Sequence, residues 1–278
     1  MLFLPIIFYS CTARIDIKTN DTEPRLVIFG TISGDTIRHS VRITRSTGYF
    51  SNEPPPPISN AVVTISTENE IFTLHEDTIP GIYFTDSIAG KCGETYTLDV
   101  WLDFDSDGTT EHYQATSTMP TGPRVDSIFL SSMVINDFPI LWLYGEVFSG
   151  TDNNFCIYTA KNNEEEGLFD YFAIFSQDMI IMVGNAYPLP YFARGGVHVG
   201  DTVNFRVDNL SNNYAAFLQQ ASDEMSVKTP FFSSPPAEVI TNIKCLDSNI
   251  KVSGFFAAYN RGKDMITIST IDFDFLGR

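Results

Sequence analysis

The sequence predicts a mainly β protein in two parts, a β-sandwich over residues 24–120 and a second β-rich domain over 121–278 with one helix. Three observations predict it. Short runs of alternating apolar and polar residues recur from Pro24 to Met119, with turn signals every ~8–12 residues, as in a sandwich of short strands. Thr121-Gly122-Pro123 interrupts that pattern, which then restarts. One segment alone spaces its apolar residues at a helical period.

The elements follow in order. Arg25 to Phe29 is a short apolar run that ends at Gly30, and His39 to Thr44 alternates with Val41 and Ile43 on one face. Ala61 to Ser66 alternates next, Ile71 to Leu74 follows a turn at Glu68-Asn69-Glu70, and Gly81 to Phe84 follows Pro80. Thr95 to Trp101 and Glu111 to Ser117 face each other across an acidic loop. In the second part, strands are expected at Ile128 to Leu130, Ile140 to Val147, Asn154 to Thr159, Phe169 to Phe175 and Thr202 to Val207. A helix is expected near 211–226: Ser211 can cap it, and Leu210, Tyr214, Phe217, Leu218, Ala221 and Met225 share one face. Lys228-Thr229-Pro230 ends it. Val252 to Ala258 and Met265 to Ile271 close the chain as two further strands.

An apolar run from Leu2 to Tyr9 precedes these elements and stops at Cys11. It reads as a lipoprotein export signal over residues 1–11, with cleavage before Cys11 and a lipid on its sulfur; a buried N-terminal strand with a core cysteine is the alternative. No basic residue precedes the run, so the start codon is expected upstream of Met1. The run is far short of the ~20 residues that cross a bilayer as a helix. Residues 12–23 carry Asp16, Lys18, Asn20, Asp21 and Glu23 and read as a polar tether.

The 278 residues suffice for two domains, and 43% hydrophobic content supports a packed core. A net charge of −17 repels nucleic acid and anionic lipid head groups, which excludes both as main partners. Cys92, Cys156 and Cys245 form no CxxC pair and have no zinc spacing. They can supply one disulfide with one thiol left over, or remain small buried residues. His39, His75, His112 and His198 share no motif and read as structural or surface histidines.

Three segments can carry a site. Asp103, Asp105 and Asp107, with Gly108 and Glu111, open like a low-affinity calcium loop, because alternating carboxylates converge on one hard cation. The twelfth position is Gln114 rather than a bidentate carboxylate, and the loop joins strands rather than helices. An acidic hairpin turning at Asp107-Gly108 explains the same residues without a cation. Tyr49 and Phe50 stand beside Pro54 to Pro57, a stiff extended segment on which aromatic rings bind at low entropic cost, or from which they fold back onto the sandwich. Tyr187, Tyr191 and Phe192 lie in a Pro-rich segment that suits partner docking or sugar stacking, or packs on its own domain. No GxSxG, HExxH or Walker loop is present, and Glu164 to Glu166 reads as a solvated loop. The chain is therefore expected to be non-enzymatic, with a hydrolase of unrecognised site as the lesser alternative.

The order of several short motifs carries a resemblance. Cys11 and the tether lead to Pro24-Arg-Leu-Val-Ile28, then Ser46 to Phe50, the four prolines, Ala61 to Ile65, Pro80 to Tyr83 and Gly93 to Leu98. Asp208 to Ser211 with Tyr214, Thr241 to Ile243 and Gly254 to Tyr259 follow. Over nearly its whole length the chain resembles a family of Gram-negative outer-membrane lipoproteins, the domain of unknown function 4249 family. The resemblance implies an immunoglobulin-like or transthyretin-like first sandwich and genes beside TonB-dependent outer-membrane receptors. It supplies no catalytic residue to carry over. Thr12-Ala13-Arg14-Ile15 stands where surface lipoproteins of such bacteria often carry an acidic cluster, which leaves the side of the membrane open.

Together these readings predict a lipid-anchored accessory protein of an outer-membrane nutrient-import complex. It would dock to a TonB-dependent receptor and capture a glycan or peptide ligand, without a cofactor other than low-affinity Ca²⁺. The alternative is a stand-alone glycan-binding or adhesive surface module.

Overall fold

A computed structural model describes residues 24–48, 51, 53–122, 127–135, 138–144, 154–162, 171–176, 186–190, 198–225 and 238–269. The first seven strands are β1 (Leu26–Ser33), β2 (Ile37–Arg45), β3 (Val62–Ser66), β4 (Ile71–Glu76), β5 (Ile82–Ile88), β6 (Thr95–Leu102) and β7 (Glu111–Thr118). Next come β8 (Ser127–Ile135), β9 (Phe138–Tyr144), β10 (Asn154–Lys161), β11 (Tyr171–Ser176), β12 (Ala186–Pro190) and β13 (Thr202–Leu210). Helix α1 (Asn212–Met225), β14 (Lys244–Cys245) and β15 (Val252–Thr267) complete the described chain. The protein is mainly β, as its alternating pattern predicts.

The first seven strands form the sandwich for a local reason. Successive side chains of a strand point to opposite faces, so a period-2 apolar pattern buries one face. On β6, Tyr96, Leu98, Val100 and Leu102 are buried while Thr95, Thr97, Asp99 and Trp101 face outward. One layer holds β1, β2 and β5, the other holds β3, β6 and β7, and β4 links them by pairing with both β3 and β5. Leu26, Ile28, Ile32, Val41 and Ile43 from the first layer meet Val63, Ile65, Leu98, Val100 and Tyr113 from the second in one core.

The end of the chain returns to this sandwich. The first half of β15 runs parallel to β1, from Leu26↔Val252 to Ser33↔Tyr259. Its second half runs antiparallel to β13, from Asn209↔Asn260 to Thr202↔Thr267. β14 pairs with β7 through Lys244↔Gln114 and Cys245↔Tyr113. Ile243, Val252, Phe256 and Ala258 are buried in the same core as Ile28. Residues 243–259 thus lie beyond the boundary expected at residue 121, yet they cover the open edges of β1 and β7. Covering such an edge protects unpaired backbone groups. The two strands expected at 252–258 and 265–271 are one continuous strand over 252–267. The turn-like Asn260-Arg261-Gly262 stays extended because β13 supplies its ladder partners.

Helix α1 forms as expected. The Tyr214 backbone N–H donates to Ser211 Oγ at 3.3 Å, which satisfies one of the free donors of the first turn. Tyr214 stacks on Phe255 at 5.5 Å and on Tyr259 at 6.3 Å, and Phe217 reaches Phe29 at 6.1 Å. The helix therefore covers the outer face of β15 and β1. β13 also pairs with β10, and β10 with β11; β12, β9 and β8 form a separate three-stranded sheet. Among the described residues no helix is long and apolar enough to cross a membrane.

Candidate functional site

The acidic loop between β6 and β7 is the best-defined candidate. Leu102 and Glu111 are paired at its base, and both face the sandwich interior. The loop doubles back through left-handed conformations at Ser106 (φ 64°) and Gly108 (φ 91°). This brings the carboxylates of Asp103, Asp105, Asp107 and Glu111 together, with ligand oxygens all within 4.8 Å of one another. That span is twice the usual Ca–O distance of about 2.4 Å, so one cation could touch all four.

Each carboxylate is held by a neighbouring donor. The Gly108 N–H donates to Asp103 Oδ2 at 3.0 Å, the Asp107 N–H to Asp105 Oδ1 at 3.2 Å, and the Thr109 N–H to Asp107 Oδ1 at 2.7 Å. Glu111 Oε2 accepts from the Phe104 N–H at 3.1 Å and from the Tyr113 hydroxyl at 3.3 Å. Burial, reinforced by the Glu111 charge, pushes the Tyr113 phenol upward, so it stays a donor. Phe104 plugs the loop into the core, with the Arg45 guanidinium 4.2 Å over its ring and donating to its carbonyl. Three aspartates are exposed and Glu111 is buried, so the cluster opens to solvent on one side. Gln114 is not part of it; its amide donates to Asp99 Oδ1 at 2.8 Å on the outer face.

The other expected candidates are not gathered into one site. Tyr187 lies on β12 opposite Leu143. Cys11, Tyr49, Phe50, Tyr191 and Phe192 lie outside the described residues. The four prolines run along β2: the Arg45 N–H donates to the Pro56 carbonyl at 2.8 Å and the Ile58 N–H to the Ile43 carbonyl at 3.0 Å. Cys92 is exposed, Cys156 buried and Cys245 half-buried, and all three are free thiols. Burial pushes the Cys156 thiol up to about 12, so it is an inert, neutral core residue. His39 is buried beside the Ile88 carbonyl at 3.0 Å, and burial lowers its pKa.

Two arrangements were not singled out by sequence reasoning. On the outer face of β6 and β7, Trp101 stacks on His112 at 4.6 Å, and His112 Nε2 lies 2.7 Å from Asp99 Oδ1. The hairpin register Trp101↔His112 and Asp99↔Gln114 contains that signal, since paired residues share a face. The second is a charged array of Asp35, Asp208, Arg261 and Lys263. Asp35 and Arg261 lie 226 positions apart, and no local signal links them.

Two solved structures are similar to this chain. One is a two-fibronectin type-III domain segment from chicken tenascin, 9% identical, covering 68% of this chain and 93% of its own, with a TM-score of 0.23. The other comprises the FN1–FN3 domains of chicken CNTN1, 9% identical, covering 66% of this chain and 60% of its own, with a TM-score of 0.28. No curated protein matches the chain. The family described as "Domain of unknown function (DUF4249)" matches residues 12–264, most of the chain, from the residue after Cys11 to the second half of β15. The chain therefore belongs to the DUF4249 family.

Proposed function

We propose that this chain is a non-enzymatic, lipid-anchored accessory protein of an outer-membrane nutrient-import complex, which works by docking to a TonB-dependent receptor. The observation that carries the reading is the placement of Cys11. An apolar run ends there, the family match begins at residue 12, and the first strand among the described residues begins at Leu26. The intervening polar segment can span at most roughly 45 Å, enough to hold a folded body close to a membrane surface. A lipid at Cys11 confines the protein to two dimensions and raises its effective concentration at a receptor.

The test is an affinity purification from gently solubilised membranes with a tag after Arg278. A TonB-dependent receptor recovered in near-equal amount is the expected outcome. Cys11→Ser should move the protein out of the membrane fraction. A protein recovered alone, with nutrient uptake unchanged on its deletion, would overturn the reading.

The convergence of four carboxylates favours a second, compatible property: the β6–β7 loop takes a Ca²⁺ ion that neutralises their mutual repulsion. Affinity in the range of about 10⁻⁴–10⁻³ M, as in extracellular modules, implies a stabilisation of about 1.4–2.7 kcal/mol at 10 mM Ca²⁺. Thermal unfolding with and without Ca²⁺ reads this directly. Asp103→Asn with Asp107→Asn should abolish the shift; a shift of equal size in that variant, or none in the parent, removes the loop from consideration.

A further inference from the structure

The charged array sits where β15 changes partners. Its last pair with β1 is Ser33↔Tyr259 and its first with β13 is Asn209↔Asn260. Arg261 is the next residue. Its Nη1 donates to Asp35 Oδ2 at 3.0 Å, in the turn between β1 and β2 of the sandwich. Its Nε and Nη2 donate to both oxygens of Asp208 on β13, at 2.6 and 3.0 Å. Nη2 also donates to the Tyr259 hydroxyl at 3.0 Å. One planar guanidinium is thus bonded to the β1–β2 turn of the sandwich and to β13, where β15 passes from one to the other in a continuous sheet.

The two sides of the array differ in access to solvent. The Asp208 side chain is 4% exposed and Arg261 13%, whereas Asp35 is 17% exposed and its second partner, Lys263, is 68% exposed. The Arg261–Asp208 fork is bidentate and shielded, which makes it rigid and insensitive to salt. The Asp35 side is reached by water and counter-ions. Burial raises the Asp35 pKa, but the Lys263 hydrogen bond and the charges of Arg261 and Lys263 outweigh it and leave the carboxyl below the ordinary aspartate range. It is therefore charged and paired at neutral pH.

Buried ion pairs contribute little net stability against apolar residues of the same volume, because desolvation offsets the attraction. What they supply is directional: a planar fork is satisfied in one orientation only. We propose that Asp35, Arg261 and Asp208 form a latch that sets the angle between the sandwich and the β13 sheet, permanent at Asp208 and releasable at Asp35. Among the described residues, other ties near the crossover include the Asn209 amide donating to the Thr121 carbonyl at 2.7 Å, the Asn260 amide on Gly122, the Tyr259–Thr31 side-chain hydrogen bond and the Phe217–Phe29 ring contact. Of these, the Asn260 side chain also lies against Gly34 of the β1–β2 turn, but none of them brings a charge to that turn. With Asp35 released, the two parts remain joined through β15 and these neutral ties but lose the charged, directional contact at the β1–β2 turn.

The test is a distance measurement by double electron–electron resonance on the full chain. Spin labels go on the native, exposed Cys92 of the sandwich and on Met265→Cys at an exposed position of β15. With Cys11→Ser and Cys245→Ser, the one cysteine left besides the two labelled sites is the buried Cys156. The parent should give a narrow distribution. Asp35→Asn should at least double its width while leaving the urea midpoint in place, and 1 M NaCl should broaden the parent in the same direction. Arg261→Lys keeps the charge but loses the fork, and should broaden it as Asp35→Asn does. An unchanged width in Asp35→Asn, or a lowered midpoint with unchanged width, overturns the latch and leaves the array a simple stabilising contact.

Discussion

Gly254→Ala should destabilise the protein by on the order of 4 kcal/mol or more, well above an ordinary surface substitution. Gly254 pairs with Ile28 across the parallel β1–β15 ladder, at a φ of 102° that L side chains rarely adopt. A Cβ there would stand 1.9 Å from the Ile28 carbonyl oxygen and 2.7 Å from its carbon. Both are backbone atoms of a core strand whose side chain is fully buried, so neither can swing aside. Relief requires β15 to leave β1, which uncovers Phe256 and Ala258 as well. Gly93→Ala is the matched control. Gly93 also has a positive φ, 78°, but nothing lies within 4 Å of its added Cβ. Only the backbone preference is lost there, about 1–2 kcal/mol. Urea unfolding followed by tryptophan fluorescence separates the two. A Gly254→Ala loss no larger than that of Gly93→Ala would mean that β15 does not pair at this register.

Ending the chain after Gly122 should leave a fragment that does not fold, although it retains all of the first seven strands. Such a fragment lacks Ile243, Val252, Phe256 and Ala258 from its core. At about 1.5–3 kcal/mol for each large buried side chain, the loss approaches the whole stability of a typical domain, about 5–15 kcal/mol. It also lacks Asn242, whose amide donates to the Thr116 and Phe256 carbonyls and whose oxygen accepts from the Phe256 N–H. That side chain joins β7 to β15 through their backbone groups. Near-UV circular dichroism of residues 24–122 should show no fixed aromatic environment, and a peptide of residues 238–269 added in trans should restore it. Cooperative unfolding of the fragment alone would show that the late strand is dispensable.

The candidate cation loop and the charged latch differ in how far they can be read from the chain. Asp103, Asp105, Asp107 and Glu111 fall within nine positions, and the flanking alternation of β6 and β7 implies a hairpin that closes them into one cluster. The fourth carboxylate of the cluster is Glu111, named with the three aspartates from the sequence; strand register turns it inward and Gln114 outward. Asp35 and Arg261 meet only because β15 passes both β1 and β13. Nothing near either residue in sequence marks the pairing.

The sequence by itself determined most of the strands, though not β12 or β14, that a helix follows Ser211, and that the loop after Leu102 gathers carboxylates. These are local properties: a period of 2 or 3.6, a capping hydroxyl and a hairpin register act within windows of about ten residues. Tertiary structure alone decided that β15 continues through Asn260-Arg261-Gly262, that it closes the first sandwich, and that Arg261 ties that sandwich to β13. Many strands share the same apolar alternation, so the pattern identifies a strand without naming its neighbour. The neighbour is set by which pairing buries Phe256, Val252 and Ile28 together while leaving the Arg261 charge bonded to Asp35 and Asp208. That balance exists only between residues brought together by the completed fold.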